Sequence, residues 1–302
     1  MIVNRLKLLL VALLWLLPGM IVAQQGAAHI VIVKSSDNGY FNQSIEILIS
    51  HVDEAATFEV VLAENLDSEF ANAGDDRFFV ALGESAVKTV ASLGGKISSL
   101  NAYITQEQYQ QLDIGYQATV LLDQPLQRYL SFCKLLLGID SVGVITTGKF
   151  DLDRRQSDQL ERLQIELNQY RLDPLNKLLP VLRGLLQQND VLLMLPRQAI
   201  YNRDTLKGVL LTSYRSRRPA ISYSPAHVKA GALASIYSSP IDIGRHLAIL
   251  LNQKLRNPAG RLPAFQFARY YSIATNRRVA RALGISLPGE SELRARLDAL
   301  ER

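Results

Sequence analysis

Short apolar segments alternate with amphipathic helical patterns along most of this chain, and this alternation limits the possible folds more than any other feature. The predicted strands are residues 29–33, 57–62, 77–82, 98–104, 117–122, 141–146, 191–195 and 219–223. Most are β-branched and apolar on both faces, as strands covered by helices on both sides must be. The alternation predicts an α/β fold of doubly wound, Rossmann-like parallel sheets connected by right-handed crossovers.

Amphipathic stripes separate these strands. The stripes are Ile45, Leu48, Ile49 and Val52; then Leu160, Leu163 and Leu167; then Leu178, Leu182, Leu185 and Leu186. Side chains three or four residues apart lie on the same face of a helix. We therefore expect each stripe to mark a helix that packs on a sheet.

The chain divides near Asp123. The strand-like segment 117–122 ends there, an amphipathic helix follows, and the segment 141–147 then restarts the strand–helix series like another first strand. Two lobes explain this pattern more economically than one very wide sheet. The extended segments 231–238 and 262–273 are candidate crossings between the lobes. The predicted lobes comprise residues 24–122 with about 239–264, and 123–238 with about 265–302.

The N-terminus has the layout of a secretory signal peptide, predicted as residues 1–23. Arg5 and Lys7 precede the apolar segment 8–17, and Ala23 is a small residue at a possible cleavage point. An uncleaved anchor is the alternative, although the apolar segment is short for a permanent span. No cysteine lies near the cleavage region, which excludes a lipoprotein anchor there. The expected location is the periplasm.

The charge of the chain argues against a nucleic-acid partner. Without Arg5 and Lys7, 31 basic residues face 28 acidic ones, a net charge of +3. Two basic clusters, Arg215, Arg217, Arg218 and Arg277, Arg278, Arg281, are interpreted as solvated helix ends. They could also touch a membrane partner. The one cysteine, Cys133, is predicted to be a buried structural thiol.

The stretch from about residue 78 onward resembles a bacterial ABC-transporter solute-binding family, the tryptophan/tyrosine-binding-like proteins of the type 1 periplasmic-binding fold. The resemblance rests on ordered segments: residues 79–86, 123–125, 142–145, 189–196, 229–234, 241–248 and 276–288. It implies two Rossmann-like lobes with an inter-lobe cleft, and Gly244 at a close-packing position of a helix. The stretch from Tyr40 to Arg77 is more compact than in the family. Residues 289–302 form an extension, with Leu293, Leu297 and Leu300 on one helical face.

The turn after the strand 77–82 admits more than one function. Gly83, Glu84 and Ser85 open a helix, as in a hydrolase nucleophile elbow, but Val87 stands where that motif needs its last glycine. Free N–H groups at a helix start suit a carboxylate or another anion. Simple capping of the helix by Glu84 and Ser85 is the remaining alternative.

By the same logic, residues that follow other strands should line the cleft, where open α/β sheets bind ligands. The complete predicted set is Ser35, Ser36, Gly83, Glu84, Ser85, Tyr103, Thr146, Thr147, Pro196, Arg197, Tyr223, Ser224 and Tyr237. Tyrosine rings with hydroxyl donors suit an amino-acid-like or aromatic ligand. Metal-ligand spacing and nucleotide motifs are absent from the sequence, so neither a metal nor another cofactor is predicted.

The sequence thus predicts a non-catalytic solute-binding protein. The family resemblance implies delivery of a small molecule, such as an amino acid or related metabolite, to an inner-membrane ABC permease. The compact first lobe and the C-terminal extension favour an alternative, a sensory or adaptor module for a membrane-bound signalling protein. An enzyme would need a nucleophile, base and acid together, and no histidine has surroundings that single it out.

Overall fold

A computed structural model describes residues 27–66, 77–94, 98–112, 114, 117–148, 151–172 and 177–301. The predicted signal peptide lies outside these residues. Within them, no helix has the length and apolar character needed to cross a membrane.

Strands and helices alternate as the sequence predicts. The strands are β1 (Ala28–Lys34), β2 (Ala56–Leu62), β3 (Arg77–Leu82), β4 (Ser99–Ile104), β5 (Ala118–Leu121), β6 (Ser141–Thr146), β7 (Glu166–Arg171), β8 (Val191–Leu193), β9 (Ala220–Ser222), β10 (Ala234–Tyr237), β11 (Phe265–Phe267) and β12 (Ser272–Thr275). The helices are α1 (Gly39–Ser50), α2 (Glu84–Ser92), α3 (Gln106–Gln111), α4 (Leu126–Leu137), α5 (Arg154–Leu163), α6 (Leu178–Gln188), α7 (Leu206–Arg215), α8 (Pro225–Ala230), α9 (Pro240–Arg256), α10 (Arg277–Leu283) and α11 (Glu290–Leu300).

The strands form two six-stranded sheets. The first has the order β11-β5-β4-β3-β1-β2, and the second has the order β12-β10-β9-β8-β6-β7. Every pairing is parallel except that between β12 and β10. The predicted α/β class with two Rossmann-like lobes is therefore confirmed.

Both faces of the central strands are buried. In β1, Ile30 and Ile32 pack under α1 and α9, whereas Val31 and Val33 pack under α2, and all four are fully buried. Burial of one such side chain stabilises the fold by about 1.5–3 kcal/mol. Cys133 lies in the core of the second lobe, where burial raises the pKa of its thiol to about 12, so the predicted structural role fits.

The structure corrects three sequence predictions. Leu167 belongs to strand β7 and not to a helical stripe, because α5 ends at Leu163 and Gln164 then adopts a left-handed φ of 50°. Strand β11 pairs with β5 in the first sheet, so the last crossing follows residue 267 and not residue 264. In α11, Leu293 and Leu297 are buried against the second lobe, but Leu300 is exposed.

Candidate functional site

Three crossings join the lobes: residues 122–125 between β5 and α4, residues 238–239 between β10 and α9, and residues 268–271 between β11 and β12. The first two leave the carboxyl ends of β5 and β10. Because the strands of each lobe are mostly parallel, the carboxyl ends of both sheets face the same gap. The ion pair between Arg197 Nε after β8 and Glu107 Oε2 in α3 spans that gap at 3.9 Å.

The first predicted contact region is the start of α2. Some of its hydrogen-bonding groups are already bonded to other side chains of the protein. Gly83 has a φ of 91°, and Ser35 Oγ accepts a hydrogen bond from the Ala86 N–H at 2.9 Å. Glu84 accepts hydrogen bonds from Lys88 and from Gln108, and these bonds lower the pKa of its carboxyl. Ser85 is exposed, so its role as a ligand residue stays a prediction.

The histidines of the described chain are engaged elsewhere. Their partners are Glu59 for His29, Ser50 and the Ile47 carbonyl for His51, Ser222 for His227, and the Arg269 N–H for His246. None of these contacts includes Ser85. The geometry therefore does not favour the nucleophile-elbow interpretation.

Tyr103 occupies a strained backbone position near the carboxyl end of β4. Its φ is 63°, in the left-handed region that an aromatic residue rarely adopts, and such outliers cluster at functional sites. Its hydroxyl shares a hydrogen bond with Ser44 Oγ, and its ring meets Phe41 edge-on with centroids 5.0 Å apart. Burial raises the pKa of Tyr103 to about 12, so the phenol stays neutral at physiological pH.

Two further tyrosines, Tyr237 and Tyr40, lie close to Tyr103 or to its neighbour Asp242. Tyr237 ends β10 and is half-buried; burial raises its pKa, and the nearby Asp242 carboxylate and Tyr40 add to the shift. Tyr40 begins α1 with 65% of its surface exposed, which is unusual for a large aromatic side chain. Tyr40 is not in the predicted set, although it is an aromatic residue just after a strand-end loop.

A second group of residues lies where the first crossing meets the second lobe. Asp123 is buried, and its Oδ2 accepts a hydrogen bond from the Gln106 N–H at 2.7 Å. Burial raises the pKa of Asp123 to about 6, although the Arg197 charge opposes the shift. Burial and the Asp123 charge together raise the pKa of Tyr223 to about 12. Arg197 and Tyr223 were predicted, whereas Asp123 was recognised only as a lobe boundary.

Tyr201, beside this group, has the one buried tyrosine hydroxyl without a hydrogen-bond partner in the described part of the chain. The side chain is 3% exposed, and the hydroxyl is near enough to Tyr223 and Arg197 for both to influence its pKa, which burial raises. A buried hydroxyl without a protein partner costs free energy unless water or a ligand completes its hydrogen bonding.

The remaining predicted residues have mainly local contacts. Ser36 Oγ accepts from Asn38 Nδ2 at 2.9 Å, and Ser224 Oγ caps α8 by accepting from the Ala226 N–H at 3.2 Å. Thr146 is buried at the end of β6, and Thr147 is partly exposed. Strand β8 ends at Leu193 and not at the predicted residue 195, so Pro196 is buried in the segment that follows the strand. A place for these residues in the ligand site stays a prediction.

The buried carboxyl of Asp123 predicts a pH-dependent stability difference. Its pKa is raised in the folded state, so folding favours the protonated carboxyl. The resulting contribution to the free energy of unfolding is complete below pH 4 and is lost as the pH rises through about 6. As the pH rises from 4 to 7, the unchanged protein should lose about 2–3 kcal/mol of unfolding free energy relative to Asp123→Asn, because the asparagine does not ionise. Urea unfolding at several pH values measures this difference.

Glu84→Gln is the control for that series. The pKa of Glu84 is lowered, so removing its carboxylate should shift relative stability in the opposite direction, with a loss that shrinks as the pH falls. A pH-independent difference between Asp123→Asn and the unchanged protein would contradict the raised pKa.

Comparison with solved structures gives matches over nearly the whole fold. A ligand-free, open structure of a substrate-binding protein with adhesive properties from Clostridium difficile has a TM-score of 0.64 at 13% identity, covering 87% of this chain and 97% of that one. An ABC domain in complex with L-Trp from Streptococcus pneumoniae has a TM-score of 0.56 at 17% identity, covering 89% and 98%. A periplasmic ribose ABC transporter protein from Conexibacter woesei has a TM-score of 0.53 at 12% identity, covering 89% and 97%.

These identities are too low to transfer a function. No protein-family model matches the sequence, and no curated protein matches it either. The structural similarity agrees with the sheet orders, the three crossings and the cleft described above. This chain has the two-lobed type 1 periplasmic-binding fold, the fold of ABC-transporter substrate-binding proteins.

Proposed function

We propose that this protein is a periplasmic solute-binding protein that captures a small molecule between its lobes for an ABC-type uptake system. The observation that carries the proposal is the grouping of Asp123, Arg197 and Tyr223 where the lobes meet, together with the Arg197–Glu107 contact across the gap. Closure about the crossings would convert occupancy into a change of shape, which an inner-membrane permease would read.

The charges of this group favour an amino acid or a related metabolite. Asp123 and Glu107 are acidic and suit an ammonium group, whereas Arg197 suits a carboxylate and holds Glu107 only loosely at 3.9 Å. The tyrosines on both lobes supply apolar surface with polar tips for the rest of the ligand. The complex of a structurally similar protein with L-Trp agrees with this choice. The function requires no catalytic group or cofactor.

A sensory or adaptor role is the second candidate. The observation that favours it is the C-terminal helix α11, whose Asp298 accepts from Tyr271 of the third crossing and which is followed by Glu301, bonded to Arg128 of α4. A ligand-driven change at the cleft would then reach a surface outside both sheets. Under this alternative the partner is a membrane-bound signalling protein and not a permease.

A ligand screen by thermal shift tests the primary proposal on the purified chain from Gln24. An amino acid at a hundred times its dissociation constant should stabilise the fold by about 2.7 kcal/mol. Arg197→Ala removes a charged partner and should weaken the hit at least tenfold, since such bonds contribute about 1.5–3 kcal/mol. Lys207→Ala is the control, because Lys207 is exposed on α7.

The same screen distinguishes the two predicted contact regions. Ser85→Trp fills the space at the start of α2, so a hit lost in that variant but kept in Arg197→Ala would place the ligand there. No hit from well-folded protein across amino acids and other small metabolites would count against solute capture and favour the sensory role.

A further inference from the structure

The C-terminal helix is bound to the body of the protein through a charged pair near the hinge. Arg128, in the first turn of α4, donates from Nε to Glu301 Oε1 at 2.6 Å and from Nη2 to Glu301 Oε2 at 2.7 Å. Its side chain is 10% exposed, and Glu301 directly follows α11. Two parallel hydrogen bonds of this kind fix orientation as well as distance.

The same arginine is part of a hydrogen-bond chain that reaches all three crossings. Its Nη1 donates to Gln124 Oε1 at 2.5 Å in the first crossing and to the Ala268 carbonyl at 3.5 Å in the third. Gln124 Nε2 donates to Ser238 Oγ at 2.7 Å in the second crossing, and Ser238 donates in turn to the Tyr270 carbonyl at 2.8 Å. Side chains therefore connect the crossings to one another.

A second contact joins α11 to the third crossing. Arg128 and Arg294 both contact the Tyr271 ring, with guanidinium carbons 4.3 Å and 4.7 Å from its centroid. The Tyr271 hydroxyl donates to Asp298 Oδ1 at 2.5 Å, and Arg294 donates to the Tyr271 carbonyl. Leu293 is fully buried on the same helix and anchors it to the second lobe.

These contacts restrict hinge motion in a specific way. Lobe closure needs changes of backbone dihedral angles in the crossings. Gln124 and Ala268 accept from Arg128, and Tyr271 is held by Asp298 and Arg294, so rotation of the crossings must break or move these bonds. The Arg128–Glu301 pair fixes the position of the Arg128 guanidinium that makes the first two of them. Because that pair is largely withdrawn from water, leaving Arg128 without its partner is unfavourable.

We propose that α11 is a brace on the hinge, in which Arg128 and Glu301 are positioning residues that hold the resting separation of the two lobes. The brace concerns the ligand-free protein, and its consequence for affinity rests on the proposed solute-binding function. Without the brace the lobes sample a wider range of separations. A smaller fraction of molecules then has the lobe separation that allows a ligand to bind.

The experiment measures lobe separation directly in the full chain without ligand. Spin labels on Glu46→Cys in α1 and Arg183→Cys in α6, both exposed, report one distance across the lobes. Cys133 is fully buried, so the label should not reach it. Proteins that carry only one of the two introduced cysteines check this, because they give a distance signal only if Cys133 is labelled as well. We expect one narrow distance peak in the otherwise unchanged protein and its replacement by a broad distribution in Glu301→Gln.

Two further variants make the result specific. Gln124→Met keeps the Arg128–Glu301 pair but removes the link to Ser238, so it should broaden the distribution as well. Glu292→Gln is the matched control on the same helix, since Glu292 pairs only with the exposed Arg296 at 3.7 Å, and it should leave the peak narrow. Circular dichroism checks that each variant is folded.

An unchanged narrow peak in folded Glu301→Gln and Gln124→Met would overturn the brace, as would equal broadening in Glu292→Gln. The distance distributions are measured without ligand. They therefore test the brace even if the ligand screen finds no hit. If a ligand is found, the brace predicts several-fold weaker binding in Glu301→Gln than in Glu292→Gln, although Glu301 lies outside the cleft.

Discussion

Replacement of Gly83 by alanine is expected to lower the free energy of unfolding by about 2–4 kcal/mol, because it adds backbone strain to a steric clash. Gly83 has φ 91° and ψ 166°, a region that only glycine adopts readily. A Cβ there would lie 2.6 Å from Ser35 Oγ and 2.9 Å from Phe41 Cζ. Urea unfolding followed by circular dichroism measures the loss.

Gly284→Ala is the comparison variant for this loss. Gly284 also has a positive φ, of 75°, but an added Cβ would meet nothing within 4 Å. The strain of a left-handed residue alone costs about 1–2 kcal/mol. Because the backbone region of Gly83 is less accessible to alanine than that of Gly284, Gly83→Ala should lose more stability even before the clash is added. Equal losses would contradict both the extra strain and the clash with Ser35 and Phe41.

The second large effect is expected at Gly244, where α9 crosses α1. An added Cβ would lie 2.6 Å from the Ser44 carbonyl oxygen and 2.9 Å from Ile47 Cβ, and a backbone atom cannot move aside as a flexible side chain can. We expect Gly244→Ala to cost about 1–3 kcal/mol, the usual range for overpacking, and to lower the melting temperature by several degrees. Differential scanning calorimetry measures both.

Gly184→Ala is the matched control for that result. Gly184 lies inside α6, and nothing lies within 4 Å of an added Cβ. Alanine is the better helix former, so this change should raise stability by about 0.5–1 kcal/mol. If Gly244→Ala also raised stability, the close approach of α1 and α9 would be wrong.

Gly244 has a further consequence for the cleft. Ser44 Oγ hydrogen-bonds both the Tyr103 hydroxyl and the Pro240 carbonyl, and the latter bond is 2.8 Å long. A shift of α1 away from α9 would therefore disturb the position of Tyr103. The family resemblance implied close packing at this glycine, and the structure identifies α1 as the helix it contacts.

Most of the fold was predictable from local patterns. Residues 30–33 of β1 and 78–82 of β3 are buried and apolar on both faces, and such a run indicates a central strand of a covered sheet. Four of the described strands were not predicted. The residues of β7 are largely polar because it lies at the edge of its sheet and one side faces water. Because β7 lacks an apolar run of its own, its Leu167 was assigned to the helical stripe of Leu160 and Leu163. The short strands β10, β11 and β12 lie in or beside the segments 231–238 and 262–273, which were interpreted as crossings.

The cleft was predictable only in part. Ser35, Gly83 and Tyr223 were found because they follow strands, and that rule depends on sequence order alone. The rule does not say whether a hydroxyl faces a ligand or caps a helix, as Ser35 does for Ala86. It also missed Glu107, whose carboxylate lies 3.9 Å from Arg197 Nε and comes from a helix and not from a strand end.

The sequence by itself determined the class of fold, the two lobes and the strand ends that face the gap, because burial imposes a periodicity that each segment carries locally. Only the tertiary structure decided how the hinge is held. Arg128 and Glu301 are 173 positions apart, and Gln124 and Ser238 are 114 apart. No local pattern identifies such partners, since their contact depends on how separate lobes and a terminal helix pack together in three dimensions.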